Sequence, residues 1–306
     1  MPLTERKTDM LNELKTVIDE NKIRTNVPMS ELTTFKTGGI ADMIIYPTTL
    51  QELKNVVEFF HECREKYYVL GNGSNILASD NGIKKPIICL GHNYSSIDVF
   101  DNCITAKSGA FLSAIARKAY EESLTGFEFA SGIPGTLGGA LIMNAGAYGG
   151  EMKDVVEAVS FIDSTGTEYI VSGEEMEFSY RKSALSDTNC IITGATIKLE
   201  YGNKSDINAK MSDLASRRRE KQPLEYPSAG STFKRPAGYF AGTLIESSDL
   251  KGKSIGGAQV SEKHAGFIIN KNDATTDDIC NLISYVRDAV YEKHGVILEP
   301  EVKYWD

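Results

Sequence analysis

Cysteine and histidine are scarce and scattered. The five cysteines (Cys63, Cys89, Cys103, Cys190 and Cys280) never form a C-x-x-C pair, and an odd count spread this widely reads as reduced thiols, not a disulfide framework. Four histidines without an H-E-x-x-H or a Cys/His pairing leave no zinc spacing, so no metal is expected. No stretch approaches the ~18 apolar residues of a membrane span. The opening MPLTERKTDM lacks the apolar core of a secretory signal, which points to no signal peptide and a cytoplasmic location. Basic charge is in deficit, 33 Lys and Arg against 42 Asp and Glu, and a net charge of −9 removes the basic face that nucleic acid requires. No internal repeat or low-complexity segment occurs, and no obligate protein partner is evident. What remains is a 306-residue chain, 41% hydrophobic and 25% charged, with enough apolar residues for real cores and a length suited to about two domains.

Glycine, by contrast, is concentrated. Eight of the 27 glycines fall in the first 25 residues of GFEFASGIPGTLGGALIMNAGAYGGEM, residues 126–152. Only Glu128 and Glu151 in that part are ionisable at neutral pH, and Phe, Ile, Leu, Met and Tyr stand between the glycines. A flexible linker would carry serine and polar filler instead. Buried glycine-rich backbone suits a place where a flat or anionic group approaches main-chain N–H groups, because a Cβ would block it. A tight core turn accounts for two or three such glycines, not eight. The segment is read as a ligand bed.

The flanking chain alternates helices and strands without the regular βαβ order of a doubly wound sheet. An amphipathic helix is expected over residues 3–21, with Leu11, Leu14, Val17 and Ile18 on one face. A strand at 41–46 stops at Pro47, and Thr49-x-x-Glu52 is a capping box opening a helix through Lys66. Residues 67–70 form a strand leading into Gly71-Asn72-Gly73-Ser74-Asn75, a donor-rich turn suited to a pyrophosphate, though equally to no ligand. It is no dinucleotide fingerprint, since Ile76 occupies the third glycine position and no helix follows. Strands are expected at 86–90 and 97–106, and a helix at 111–122. A hairpin follows at 155–163 and 167–171, then a strand at 190–201. The polar 202–206 reads as a link. Beyond it come helices at 207–221, 241–249 and 275–294, strands at 255–260 and 266–270, and a last strand at 296–305.

Four polar spots could carry chemistry. Arg181 follows a turn and could fork onto a carboxylate, although an exposed turn arginine is the plainer reading. Ser231 sits in a small-residue loop whose spacing is not that of a nucleophile elbow. Glu299 and Glu301 flank Pro300 and share a face by period two. Four cations at 217–221 suit a helix C-terminus or a substrate phosphate. His264 reads as a turn residue.

In this order the motifs Gly71-Asn72-Gly73-Ser74-Asn75, Ser131-Gly132-Ile133-Pro134-Gly135-Thr136-Leu137-Gly138-Gly139, Asn144-Ala145-Gly146-Ala147-Tyr148-Gly149, Tyr180-Arg181-x-Ser183, Ala229-Gly230-Ser231-x-Phe233-Lys234 and Leu298-Glu299-Pro300-Glu301-Val302 resemble the UDP-N-acetylenolpyruvoylglucosamine reductase family, flavoenzymes of bacterial peptidoglycan synthesis. The resemblance runs from about Leu32 to the C-terminus. It implies an α+β chain built on the FAD-binding fold of the vanillyl-alcohol-oxidase/p-cresol-methylhydroxylase type. Two small α+β subdomains, split near residues 91–107, would make up an FAD-binding domain at 31–203. A helical arm at 1–30 would precede it, and an α+β substrate-binding domain at 204–306 would follow.

The resemblance also implies roles. Tyr46, Gly71, Asn72, Gly73, Ser74, Asn75, Ser131, Gly132, Ile133, Pro134, Gly135, Gly138, Gly139, Asn144, Gly146, Ala147 and Tyr148 would hold FAD non-covalently. NADPH would reduce it and leave, and a UDP-sugar bearing an enolpyruvyl ether would take its place and be reduced to UDP-N-acetylmuramate. Hydride addition to an alkene conjugated with a carboxylate builds a dianionic enolate. Arg181 and Glu301 match the family's stabilising pair and Ser231 its proton donor, while Lys221, Arg235 and His264 match positions near the substrate. Longer relatives insert a tyrosine loop after the serine; here Lys234-Arg235-Pro236 runs almost directly to Tyr239, as in the shorter type. The competing enzyme is an FAD oxidase of the same fold acting on an alcohol or sugar.

Overall fold

The structure, a computed structural model, describes residues 5–306. In chain order its elements begin with α1 (Glu5–Val17), β1 (Ile23–Pro28), β2 (Ile40–Ile45), α2 (Leu50–Glu62), β3 (Tyr68–Leu70), β4 (Ile76–Ala78) and β5 (Ile87–Cys89). Next are β6 (Ile97–Phe100), β7 (Cys103–Lys107), α3 (Leu112–Glu121), β8 (Leu124–Thr125), α4 (Leu137–Ile142), β9 (Gly146–Ala147) and β10 (Gly150–Glu151). The middle closes with β11 (Val156–Ile162), β12 (Glu168–Ser172), β13 (Ile191–Lys198) and β14 (Glu200–Tyr201). The remainder is α5 (Lys204–Lys221), α6 (Ala241–Ser247), β15 (Ser254–Ile255), β16 (Ala258–Val260), β17 (Ile268–Asn270), α7 (Thr276–His294) and β18 (Lys303–Trp305). The expected helix start at Leu3 lies outside the described residues.

Local chemistry explains the best-marked helices. The Thr49 hydroxyl accepts the Glu52 N–H at 3.2 Å and opens α2, whose buried face is Leu53, Val56, Val57 and Phe60. Thr275 and Asp278 form a reciprocal capping box on α7, and Gly295 ends it in the left-handed region at φ 67°.

The chain divides into two compact units. The first comprises the described part of Met1–Arg24, Met43–Gly71 and Lys85–Ser216. It has two apolar cores. One joins Leu14 of α1 and Ile18 just beyond it to the inward face of α2, to Met43 and Ile45 on β2 and to Ile88 on β5, which pairs in parallel with both β2 and β3. β1 lies along β2, and the division between units passes through both strands. The other core lies on the antiparallel sheet β12-β11-β13-β7-β6, covered by α3 and α4, with Ile115, Leu137, Leu141, Val159 and Ile197 fully buried. Each such side chain withdraws about 1.5–3 kcal/mol worth of apolar surface from water.

The second unit comprises Thr25–Asp42, Asn72–Lys84 and Arg217–Asp306. Here α6 and α7 pack with the antiparallel β15-β16-β17 around Ile245, Val260, Leu282, Val286 and Leu298. β18 pairs in parallel with β4, Tyr304 opposite Leu77.

The structure departs from the sequence reading at four places. α4 forms inside the glycine bed despite Gly138 and Gly139, each costing ~1 kcal/mol in a helix interior; it is pinned by Leu137 N–H to the Ala110 carbonyl at 2.9 Å and Gly138 N–H to the Ser108 carbonyl at 2.8 Å. The polar 202–206 is not a link but mostly the start of α5, because the Asn203 side chain accepts the Ser205 N–H at 2.9 Å. The expected last strand shrinks to β18 plus one bridge, Phe233 opposite Pro300, made by Lys234 N–H on the Glu299 carbonyl and Glu301 N–H on the Thr232 carbonyl. Strands β1 and β4 are additions: β4 has only three residues, and in β1 only Ile23 and Val27 are strongly apolar although burial alternates along it.

Candidate functional site

In the first unit the glycine bed becomes a tight turn, α4 and a hairpin. Gly71, at the end of β3, faces Thr136: a Cβ there would lie 2.3 Å from the Thr136 hydroxyl. The turn at Ser131, Gly132, Ile133, Pro134 and Gly135 is anchored from below. Ser131 N–H and hydroxyl both bond to the Glu128 carbonyl, at 3.1 and 2.7 Å, and Ile133 N–H bonds to the Ala130 carbonyl at 3.0 Å. The Glu128 carboxylate is 2% exposed. It accepts from the Thr125 hydroxyl at 2.6 Å, from Gly126 N–H, and from Lys210 at 2.9 Å. Burial pushes its pKa up, but these donors outweigh that and hold it below the usual carboxylate range.

Gly146 and Ala147 pair with Glu151 and Gly150 across Tyr148-Gly149, where φ is positive at both turn residues, 53° and 91°. That is the two-residue hairpin whose twist suits the strands, and tyrosine at its first position is unusual. The glycines here serve two ends. A Cβ on Gly138 would press on Ser108 at 3.0 Å, on Gly146 against the Gly150 carbonyl at 2.8 Å, and on Gly150 against the Phe129 ring at 2.6 Å, so these three permit internal packing. Among the described residues a Cβ on Gly139 would meet nothing closer than 3.9 Å and one on Gly149 nothing within 4 Å, which leaves their surfaces open. Beside Gly138, the Ser108 hydroxyl is buried without a hydrogen-bond partner among the described residues, a group that fits the polar part of a ligand.

Asn144 links the bed to Arg181. It is 1% exposed and sits at φ 40°. Its amide donates to Glu151 Oε2 at 2.6 Å and to the Ser179 carbonyl at 3.1 Å, and its oxygen accepts the Lys153 N–H at 3.0 Å. Ser179 and Lys182 exchange backbone hydrogen bonds at 2.9 and 3.2 Å, so Tyr180 and Arg181 form the tip of a hairpin turn. Arg181 has φ 56° at the position that favours glycine, with its guanidinium 5.2 Å from the Tyr180 ring centre. Asn144, Tyr148 and Arg181 are thus three non-glycine residues in a costly conformation, the kind of strain that clusters at functional sites. Tyr46 lies in this unit as well, its N–H on the Lys22 carbonyl at 2.8 Å.

In the second unit the expected residues gather around Thr232, which the sequence gave no reason to single out. Thr232 is 2% exposed. Its N–H donates to the Gly266 carbonyl at 2.8 Å, its hydroxyl accepts the Ile268 N–H at 3.0 Å, and its carbonyl accepts the Glu301 N–H at 2.8 Å. One residue thereby ties together the exposed Ser231, the half-buried Glu301 and the turn that carries His264. Asn75 joins them: its side chain donates to the Glu301 carbonyl at 3.1 Å, and its carbonyl accepts the Lys303 N–H at 2.9 Å. Gly73, at φ 62°, is required by packing, since a Cβ would strike the Leu32 carbonyl at 2.0 Å. Asn72 and Ser74 flank it.

The His264 ring stands edge-on to Phe267 at 4.9 Å, and its Nδ1 accepts the Gly266 N–H at 3.1 Å. Burial holds its pKa below the ordinary imidazole value. A neutral ring accepting at Nδ1 carries its proton on Nε2 and is a donor there. Lys221 ends α5 and is exposed, and Arg235 is exposed with its guanidinium 3.9 Å from the Phe240 ring centre. Glu299 pairs with Lys234 instead of acting alongside Glu301. Arg181 belongs to the first unit, Ser231 and Glu301 to the second.

Comparison with known proteins finds matches to both halves of the chain. Residues 41–172 match a family described as an FAD binding domain, and residues 222–305 match one described as the C-terminal domain of UDP-N-acetylenolpyruvoylglucosamine reductase. The chain is 51% identical over 294 residues to the UDP-N-acetylenolpyruvoylglucosamine reductase of Caldanaerobacter subterraneus subsp. tengcongensis, covering 96% of this chain and 97% of that protein. The crystal structure of the corresponding reductase from Thermus caldophilus superposes with a TM-score of 0.80 at 34% identity, over 93% of this chain and all of that one. Phl p 4.0202, a glucose dehydrogenase, shares the fold alone: TM-score 0.52 at 14% identity, over 94% of this chain and 59% of that one.

Proposed function

The chain belongs to the UDP-N-acetylenolpyruvoylglucosamine reductase family, and from that membership we propose that it reduces enolpyruvyl-UDP-N-acetylglucosamine to UDP-N-acetylmuramate for peptidoglycan synthesis in the cytoplasm, with FAD as cofactor and NADPH as reductant. Residues 31–203 serve as the FAD-binding domain and 204–306 as the substrate domain, with 1–30 as an arm. The observation that carries the reading is the Thr232 hub, which holds the expected proton donor and the expected stabilising carboxylate on facing segments of the region matching the family's C-terminal domain.

The bed fits FAD. Gly139 and Gly149 leave bare peptide groups open, and the Ser108 hydroxyl awaits a polar partner. Bound FAD supplies the hydride that NADPH has delivered to it. The enolpyruvyl double bond takes that hydride at its terminal carbon and a proton at the carbon bearing the ether oxygen, leaving a lactyl ether. Between the two events negative charge builds on the substrate carboxylate. Arg181 faces that charge with a permanent cation in a fork matched to carboxylate oxygens. Glu301 completes the stabilising pair in its protonated form, as a hydrogen-bond donor to the growing charge, and the Ser231 hydroxyl gives the proton. Serine is a weak acid, but an enolate is basic enough and aim matters more than acidity. Lys221, Arg235 and the Nε2–H of His264 face the diphosphate and sugar.

The test is direct. Purified protein should show flavin absorbance that NADPH bleaches without oxygen, and enolpyruvyl-UDP-N-acetylglucosamine should restore it while UDP-N-acetylglucosamine should not. Bleached protein that the enolpyruvyl compound leaves bleached would contradict the assignment.

A further inference from the structure

Among the described residues one carboxylate is buried, that of Glu128, and the reaction makes no use of it. Glu128 opens the short helical turn Glu128–Ala130, and its backbone carbonyl holds Ser131 twice, at the foot of the 131–135 turn. Thr125 and Gly126 donate to the carboxylate but are neutral; the cation that reaches it is Lys210, whose own side chain is 57% exposed. Lys210 lies beyond the stretch 41–172 that matches an FAD binding domain, and by sequence it falls in the substrate domain. The structure sets it elsewhere. As far as Ser216, α5 belongs to the first unit, with Ile207 and Leu214 buried and Met211 packed on the core that includes Phe129, Leu137 and Leu141. Lys204 ties the start of α5 to the Glu121 carbonyl at 3.1 Å. The elements packed on the Glu128 turn are α3, β9 and β10, and their charged groups are engaged elsewhere. Arg117 pairs with Glu121, Lys118 with Glu122, and Glu151 with Asn144 and Lys153. On α5 itself, Asp206 and Asp213 stand one turn to either side of Lys210.

We propose that Lys210 is a positioning residue for FAD: it neutralises the Glu128 carboxylate at the foot of the 131–135 turn, so that the bed can take up an anionic cofactor. The inference rests on the FAD reading above and adds a residue from outside the FAD-binding domain. The pair is asymmetric. Lys210 reaches in from the solvent side, so its removal strands one charge, the carboxylate that water cannot reach. That charge repels an anionic ligand, and any shift of Glu128 is passed to Ser131 through the backbone carbonyl. With the cation gone, burial acts on the carboxyl with less opposition and pushes its pKa up. Above the raised pKa the group is charged and FAD is held weakly. As pH falls through that pKa the group takes up a proton and the penalty disappears, while the diphosphate of FAD keeps its charge.

The experiment uses the full-length FAD-loaded protein with Lys210→Met, Glu128→Gln and the double substitution. The Kd for FAD is read from free-flavin fluorescence on serial dilution, at about pH 8 and about pH 5.5. Loss of a charge-assisted hydrogen bond weakens binding by about tenfold or more. Lys210→Met should therefore raise the Kd at least about tenfold at the higher pH and less than about threefold at the lower, with wild type changing less than about threefold between them. Glu128→Gln keeps an acceptor for Thr125 and has no charge to neutralise, so it and the double variant should both stay within about threefold of wild type at either pH. Wild-type affinity in Lys210→Met at the higher pH overturns the proposal. So does a loss equal at both pH values, or one that persists in the double variant, either of which makes Lys210 only a support for α5. If Lys210→Met fails to fold, the double variant decides: wild-type affinity upholds the charge argument and a tenfold loss overturns it. A wild-type protein that holds no FAD counts instead against the parent reading, and is scored before any variant.

Discussion

The N–H of Glu301 donates to the carbonyl of Thr232 at 2.8 Å, one residue beyond the bridge between Phe233 and Pro300. Together with the Lys234 N–H on the Glu299 carbonyl, also at 2.8 Å, that bond sets the register of two irregular segments that share no ladder. It brings Ser231 and Glu301 into one neighbourhood although 70 residues separate them in sequence. The pairing stops at that single bridge, so the geometry depends on these bonds and on the contacts of Thr232 with Gly266 and Ile268, not on a sheet.

Ser231→Ala should separate the two halves of the reaction. Flavin bleaching by NADPH should proceed at the wild-type rate, while reoxidation by the enolpyruvyl substrate slows by ~10²–10⁴, the usual worth of a positioned acid. Stopped-flow absorbance near the flavin maximum measures both. Equal slowing of the two would remove Ser231 from the donor role. Thr232→Val is the complementary variant: it strips the acceptor from the Ile268 N–H and should cost about 1–3 kcal/mol, read as a lower urea midpoint.

Asn144 should be the least replaceable residue of the bed. Asn144→Ala abandons three hydrogen bonds and keeps a left-handed backbone that alanine tolerates poorly. A loss of about 3 kcal/mol is expected, with weaker FAD retention on a desalting column because the Gly146 hairpin loosens. Asn144→Asp sets a second carboxylate against Glu151 and the Ser179 carbonyl, and should fall at least as far at neutral pH.

The division between what was and was not readable follows from the physics. α7 was legible because its stripe of Ile279, Leu282, Ile283, Val286 and Val290 is long, periodic and capped at both ends. The bed was legible as a place, since eight glycines among apolar residues have few causes. Its internal α4 was not, because two glycines argue against a helix that only the Ala110 and Ser108 carbonyls make possible. Glu128 and Thr232 carried no signal at all. Each acts through hydrogen bonds to residues distant in sequence, Lys210 in one case and Glu301 in the other, and no local pattern encodes a distant partner.

His264 gives the site a pH dependence of definite sign. Burial lowers its folded pKa, so the unfolded chain takes up the proton first. Its contribution to stability is fully present above the ordinary value of 6.5 and is lost as pH falls from there through the folded pKa. Protonation also cancels the Nδ1 acceptor used by Gly266. The expected result is a melting temperature that declines below pH 6.5 in wild type and declines less in His264→Gln. Parallel curves for the two proteins would assign the decline to other groups.

Arg181→Gly is the sharpest separation of stability from function. Arginine at φ 56° occupies a backbone conformation that glycine reaches at no steric cost. Relief of that strain should stabilise the turn by up to about 1 kcal/mol, set against glycine's extra freedom in the unfolded chain. The net effect on melting is expected to be small and of either sign, far from the drop that follows loss of a core residue. Turnover should nonetheless fall by ~10³, because the developing enolate loses its cation. Arg181→Lys keeps a charge on a slightly shorter, unforked group and should recover only part of it. A glycine variant that keeps most of its turnover would show that the strain at residue 181 serves something other than placing a guanidinium over the substrate carboxylate.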